Sequence, residues 1–222
     1  MLKLIGTIYF KVQGWRHCRA APTPRKYVMI AAPHTSNWDG VHMVGLSWVL
    51  GMRIRWMAKH TLFNGKFGWF FRWTGGVEVD RRKPQGLVEQ MAEEFAKNDD
   101  FILAVPPEGT RSQRDYWKSG FYQIALAANV PIVLGYLDFA GKRGGFGGEF
   151  MPTGDVKKDM DHIRAFYADM RGKRPDMFTL PRLRAEDEVG EDKVGEDGQA
   201  PDKPADAPVA KEPPAAQGFA AA

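Results

Sequence analysis

The sequence predicts an α/β domain with a mixed, largely parallel central sheet flanked by helices, followed by a tail that does not fold. Short apolar and β-branched runs alternate with stretches of helical periodicity, the signature of strands joined through helices. The 222 residues carry 44% hydrophobic side chains, enough for one full-sized core. The composition then changes abruptly after Arg184.

Leu4, Ile5, Ile8, Val12 and Trp15 align on one face of an N-terminal helix that also carries Lys3, Lys11, Arg16 and Arg19. Strands are expected at Tyr27 to Ala31, Arg53 to Ala58, Gly76 to Asp80, Phe101 to Val105 and Ile132 to Leu137. Gly40 to Leu50 reads as a helix, and so does Pro84 to Lys97, with Pro near its start and Leu87, Met91 and Phe95 at four-residue spacing. The uncharged stretch Ser119 to Leu137 spans 19 residues, but Asn129-Val130-Pro131 divides it, so a helix followed by a strand is expected and no membrane span. The glycine-rich Phe139 to Phe150 reads as a hairpin. Asp155 then caps a helix striped by Val156, Met160, Ile163, Tyr167 and Met170.

Three regions follow: an amphipathic, membrane-associating segment over 1–24, the main folded domain over 25–184 and an acidic, Ala/Pro-rich tail over 185–222. The tail has no Ile, Leu, Met, Trp or Tyr and cannot bury enough apolar surface to offset its ordering entropy. It holds 10 acidic residues against 3 lysines, which leaves 28 basic against 17 acidic residues in the first 184. The domain thus carries a surplus of +11, which draws it to anionic partners. The aromatics Phe67, Trp69, Phe70, Phe71 and Trp73, between Lys66 and Arg72, read either as core or as a lipid-interface cluster. They do not interleave with a basic groove, which argues against nucleic acid. Cys18 is the single cysteine, which excludes an internal disulfide and a Cys-based zinc site and favours a reducing compartment; no secretory signal is expected.

Two motifs carry chemistry. In His34-Thr35-Ser36-Asn37-Trp38-Asp39, a histidine able to accept a proton near neutral pH is followed by a carboxylate that can orient it. Five positions on a regular helix would turn Asp39 away from His34, so the pair requires a strand-to-helix corner. The alternative is a polar capping arrangement with His34 structural. In Pro107-Glu108-Gly109-Thr110-Arg111-Ser112, Gly109 permits close backbone approach and Arg111 can hold a phosphate or carboxylate, while Glu108 pairs with Arg111 or meets a substrate hydroxyl. Asp80-Arg81-Arg82-Lys83, at the end of a strand, reads as an anion site or a solvated charge run.

With these blocks in order, the chain resembles the glycerolipid acyltransferase family, typified by bacterial lysophosphatidic acid acyltransferases. His34 and Asp39 match its first motif, Gly76 to Arg81 its second, Glu108 to Ser112 its third and Val130-Pro131-Ile132-Val133 its fourth, and Lys59 matches a lysine placed before the second block. Departures are Leu134 where a proline is frequent, the bulky Trp38 inside the first motif, and an N-terminal region shorter than the anchor of many members. The resemblance implies an acyltransferase-like fold, with His34 as base, Asp39 orienting it, and no covalent enzyme intermediate. It places Lys59, Gly76, Asp80, Arg81, Glu108, Gly109, Thr110, Arg111 and Pro131 at the substrates, with Arg81 and Arg111 on the acceptor's phosphate and Gly109 beside it or the developing oxyanion. The implied donor is acyl-CoA or acyl-carrier protein and the implied acceptor a lysophospholipid, foremost lysophosphatidic acid, with no cofactor and no metal. Attachment is expected to be peripheral, on the cytoplasmic face of the membrane. The alternatives are another acceptor, such as a lyso-ornithine lipid, and a nonenzymatic protein that binds anionic membranes. The lipid A acyltransferases share the first motif, but the block from Glu108 to Ser112 argues against them.

Overall fold

The computed structural model describes residues 1–18, 20–79 and 85–187. Its elements run α1 (Leu2–Gln13), β1 (Arg16–His17), β2 (Lys26–Ala32), α2 (Trp38–Leu50), β3 (Ile54–Lys59), α3 (His60–Phe63), α4 (Gly68–Trp73) and β4 (Gly76–Val79). Then follow α5 (Gln85–Lys97), β5 (Phe101–Val105), α6 (Gly120–Ala128), β6 (Ile132–Asp138), β7 (Arg143–Phe150), α7 (Val156–Tyr167) and a short 3-10 turn over Pro175–Met177. Seven strands form one sheet in the order β1-β7-β6-β2-β5-β3-β4. All neighbours are parallel except β6 and β7, which pair antiparallel.

Helices cover both faces, which is why β5 and β6 are buried at every position and read as unbroken apolar runs. Along β2 the side chains alternate between two cores. Val28 and Ile30 pack with Met91 and Phe95 of α5, Phe121 and Ile124 of α6, and Met160 and Ile163 of α7. Tyr27 and Met29 face the other way, toward Met43 of α2. That second face also carries α4, whose Phe71 meets Trp56 of β3, a residue of the same parity as the inward Ile54.

The expected elements recur with small shifts. Asn129, in the left-handed conformation, ends α6 just before Val130-Pro131, and Asp155 caps α7 by accepting the Lys158 N–H. The hairpin differs from expectation: β6 is its first strand, and 139–150 supplies only the turn and β7. Trp15 does not extend the α1 face. Gly14 stops the helix in the left-handed conformation, and Trp15 folds inward beside Phe10 and Phe139. Leu4, Ile5, Ile8 and Val12 are left exposed. The folded region also reaches past 184, because Glu186 pairs with Arg164 at 2.8 Å and Asp187 accepts from Tyr116. The tail from 188 onward lies outside the described residues.

His42 of α2 is buried among the rings of Tyr9, Phe10, Trp15 and Phe139. Its Nδ1 lies 2.9 Å from the Trp38 carbonyl, and its Nε2 is buried without a partner. Burial holds the imidazole below its ordinary pKa, and Lys173 adds to that, while the Trp38 carbonyl and Asp39 oppose it. The unfolded chain therefore takes up a proton that the native state resists, so stability must fall as pH drops through 6.5 and below. Thermal melts at pH 7.5 and 5.5 check this, with His42→Phe expected to shrink the difference.

Candidate active site

The connection from β2 passes through α2 on one face of the sheet, whereas that from β5 passes through α6 on the other. Between these adjacent strands, at their carboxyl ends, opens the crevice where open α/β sheets hold ligands. His34 follows β2 across the cis Ala32-Pro33 bond, and Glu108 follows β5 after Pro106 and Pro107. Both motifs thus converge because Ile30 and Val105 are register partners.

The corner between β2 and α2 lets Asp39 fold back on the loop that precedes it. Its Oδ2 accepts the Thr35 and Ser36 N–H groups at 2.8 Å each, and its Oδ1 accepts the Ser36 hydroxyl at 2.8 Å. The same Oδ2 lies 3.4 Å from His34 Nδ1. Burial alone would raise this carboxyl, but the His34 contact and the Ser36 donors outweigh it and hold the group below its ordinary value. A fixed carboxylate at Nδ1 selects the tautomer whose Nε2 lone pair is available, and the His34 side chain is 26% exposed. The arrangement suits a general base, with one nitrogen anchored on a carboxylate. The capping alternative does not describe it, since Asn37 precedes α2 without a side-chain cap.

Glu108 departs from both roles expected of it. Its side chain is fully buried, Oε1 accepts the His34 main-chain N–H at 2.7 Å, and Oε2 has no partner. Burial pushes its carboxyl up to about 7, against the opposing His34 N–H. It does not pair with Arg111, and its burial leaves neither oxygen at the surface. Gly109, at φ 66°, reverses the chain so that residue 108 points inward while Arg111 emerges and donates to Asn37 Oδ1. The Gly109 N–H donates to the Pro106 carbonyl at 3.1 Å, so it closes the turn and is not presented to an oxyanion. The Lys118 chain lies over it, 3.1 Å from where a Cβ would stand.

The other expected site residues separate. Lys59 ends β3 at the same carboxyl edge, and Thr110 is half-buried after Gly109. Gly76 opens β4 at the opposite edge, where a Cβ would strike the Phe71 carbonyl and the Phe63 ring; it is a packing position. Pro131 likewise sits at the amino end of β6, its carbonyl accepting the Val28 N–H, and serves to end α6. Asp80 and Arg81 lie outside the described residues. Among the described residues no group of three or more His, Cys, Asp or Glu could hold a metal. Cys18 lies beyond β1 at the far side of the sheet, and burial pushes its thiol up to about 11, too high for a nucleophile near neutral pH.

What motif reading missed is a strap over residues 170–179. It leaves α7, accepts the Phe139 N–H on the Arg171 carbonyl, donates the Arg174 N–H to Thr35 Oγ1, and accepts the Arg114 N–H on the Thr179 hydroxyl and the Trp117 Nε1–H on the Thr179 carbonyl. It thereby crosses the carboxyl ends of β6, β2 and β5 in their sheet order. It brings Lys173 over the Trp38 ring, 4.5 Å from the centroid. Nothing local in the sequence signals it.

The chain is 31% identical over 134 residues to a 1-acyl-sn-glycerol-3-phosphate acyltransferase of Streptococcus pneumoniae, covering 59% of this chain and 50% of that one. It is 24% identical over 139 residues to the enzyme of the same name from Pseudomonas aeruginosa, covering 60% and 51%. The chain thus spans about half the length of these curated relatives. The crystal structure of the 1-acyl-sn-glycerophosphate acyltransferase from Thermotoga maritima superposes with a TM-score of 0.50 over 74% of each chain at 17% identity, a likeness of fold. The family model described as Acyltransferase matches residues 10–134, which include His34, Asp39 and the block from Glu108 to Ser112, and the chain belongs to that family.

Proposed function

We propose that this chain transfers a fatty acyl group from acyl-CoA or acyl-carrier protein to the free hydroxyl of a lysophospholipid, foremost lysophosphatidic acid, giving phosphatidic acid. The anchored His34 imidazole with its free Nε2 carries this reading. Nε2 removes the acceptor hydroxyl proton as the oxygen attacks the thioester carbonyl, and the tetrahedral intermediate collapses by expelling the thiolate. The imidazolium then returns the proton to sulfur, so the acyl group passes directly between substrates. In this reading Arg111, exposed and steadied by Asn37, holds the acceptor's phosphate, with Arg81 and Lys59 as further cations by resemblance. The names of the relatives favour lysophosphatidic acid over a lyso-ornithine lipid.

The proposed approach to lipid is peripheral, on the cytoplasmic side where acyl thioesters are found. No helix among the described residues is long and apolar enough to cross a membrane. Instead α1 and α4 lie on one face of the sheet and expose Leu4, Ile8 and Val12 together with Phe67, Trp69 and Trp73. Lys3, Lys11 and Lys66 accompany them, the combination suited to an anionic interface. Trp69→Ala/Trp73→Ala should weaken sedimentation with phosphatidylglycerol vesicles about tenfold. Purified protein incubated with mixed lysophospholipids and labelled acyl-CoA or acyl-carrier protein, analysed by mass spectrometry, tests the reaction. A labelled diacyl phospholipid is expected, and its absence with both donors defeats the proposal.

A further inference from the structure

The strap that crosses the site brings a cation that none of the four motif blocks contains. Gly172 is pressed onto the first motif so closely that a Cβ would stand 2.6 Å from Thr35 Oγ1 and 3.1 Å from Pro33 Cβ. Thr35 is fully buried beneath it, and the Arg174 N–H bonds its hydroxyl at 3.2 Å. The backbone on both sides of Lys173 is therefore pinned beside His34. Its side chain is exposed, and the ammonium rests 4.5 Å from the centre of the Trp38 ring, itself 45% exposed.

Arg111 reaches the same segment from the other loop, because its guanidinium donates to Asn37, the residue before Trp38. Two exposed cations thus meet neighbouring residues of the first motif, Arg111 from the loop after β5 at Asn37 and Lys173 from the strap at Trp38, close to the base and its carboxylate. A lone carboxylate cannot explain this arrangement, since Asp39 is buried and satisfied by Thr35, Ser36 and His34. Neither cation has a described acidic partner at the mouth.

We propose that Lys173, held on the Trp38 ring, is a specificity-determining phosphate ligand that works with Arg111 to grip a phosphate group of one substrate. The tryptophan that departs from the family's first motif then has a function: its face holds the lysine ammonium beside that motif. A Lys ammonium suits a phosphate monoester as a point charge, complementing the directional fork of Arg111. This rests on the acyltransferase reading, under which two substrates bring phosphate: the lysophospholipid headgroup and the CoA moiety of the donor.

Calorimetric titration of wild type with short-chain lysophosphatidic acid, and separately with CoA, reads binding without turnover and so does not depend on the reaction occurring. Lys173→Gln should weaken one of the two by about tenfold or more, and Lys173→Arg should restore most of it. Loss confined to lysophosphatidic acid assigns the acceptor's phosphate; loss confined to CoA assigns the donor's. Lys157→Gln, an exposed position on the first turn of α7, controls for bulk charge and should leave both unchanged. Equal binding of both probes by wild type and Lys173→Gln overturns the proposal, as does an equal loss in Lys157→Gln. Absence of any diacyl product from wild type would instead overturn the assignment of function.

Discussion

Asp39→Asn should lower kcat by about 10³–10⁴-fold while leaving the melting temperature nearly intact, and His34→Ala should lower it by at least as much. The two losses have different causes. Alanine at 34 removes the proton acceptor outright. Asparagine keeps the shape of the Asp39 side chain and one acceptor oxygen, so the Thr35 and Ser36 N–H groups can keep a partner. It removes the charge that favours the imidazolium, because the oxygen kept at the Thr35 and Ser36 N–H groups is also the one facing Nδ1 and is then a neutral amide oxygen. Steady-state kinetics on both variants, with circular dichroism as the control for folding, checks the pair. Non-additivity in the double variant is expected, since the two groups act as one unit.

Glu108→Gln should raise stability at alkaline pH and leave activity within about tenfold of wild type. The sign follows from the carboxyl being pushed from 4.5 to about 7. Native protein holds this proton more tightly than the unfolded chain, so its contribution is fully present below pH 4.5 and is lost as pH rises through about 7. Ionising it in place costs roughly 3 kcal/mol, a burden glutamine does not carry. The variant should therefore melt several degrees above wild type at pH 8.5, with the gap closing toward pH 5. Its amide oxygen can still accept the His34 N–H, which preserves the base. Glu108→Ala should behave otherwise: it strands that N–H, opens a void behind the motif and lets His34 shift, for a loss in kcat of about 100-fold. Were Glu108 a ligand for a substrate hydroxyl, glutamine would already impair activity while leaving the pH dependence of melting unchanged.

The sheet was legible because fully buried parallel strands cannot hide: Phe101 to Val105 and Ile132 to Leu137 are apolar throughout and bounded by Pro, Gly and charge. His34 and Asp39 were legible as a pair because their spacing makes sense only at a strand-to-helix corner, which the structure supplies. Gly76 and Pro131 show where block matching overreaches, since a position can recur for packing or for ending a helix as readily as for binding. Glu108 was misread because sequence does not reveal which way a side chain leaves a turn; the left-handed Gly109 sends it inward and Arg111 outward. The strap was invisible for a different reason. Arg174 and Thr35 are 139 positions apart, and only the placement of α7 against the sheet brings them together.

Whether one imidazole drives direct transfer is decided most simply by counting products. Wild type and His34→Ala, matched by melting temperature, would be given labelled acyl thioester with and without lysophosphatidic acid, and thiol released, ester formed and intact protein mass followed together. Wild type should release one thiol per ester only when acceptor is present, with no acyl adduct on the protein, and His34→Ala should do neither above background. Ester formation by His34→Ala at the wild-type rate, or an acylated protein that transfers its acyl group when acceptor is added, would contradict it.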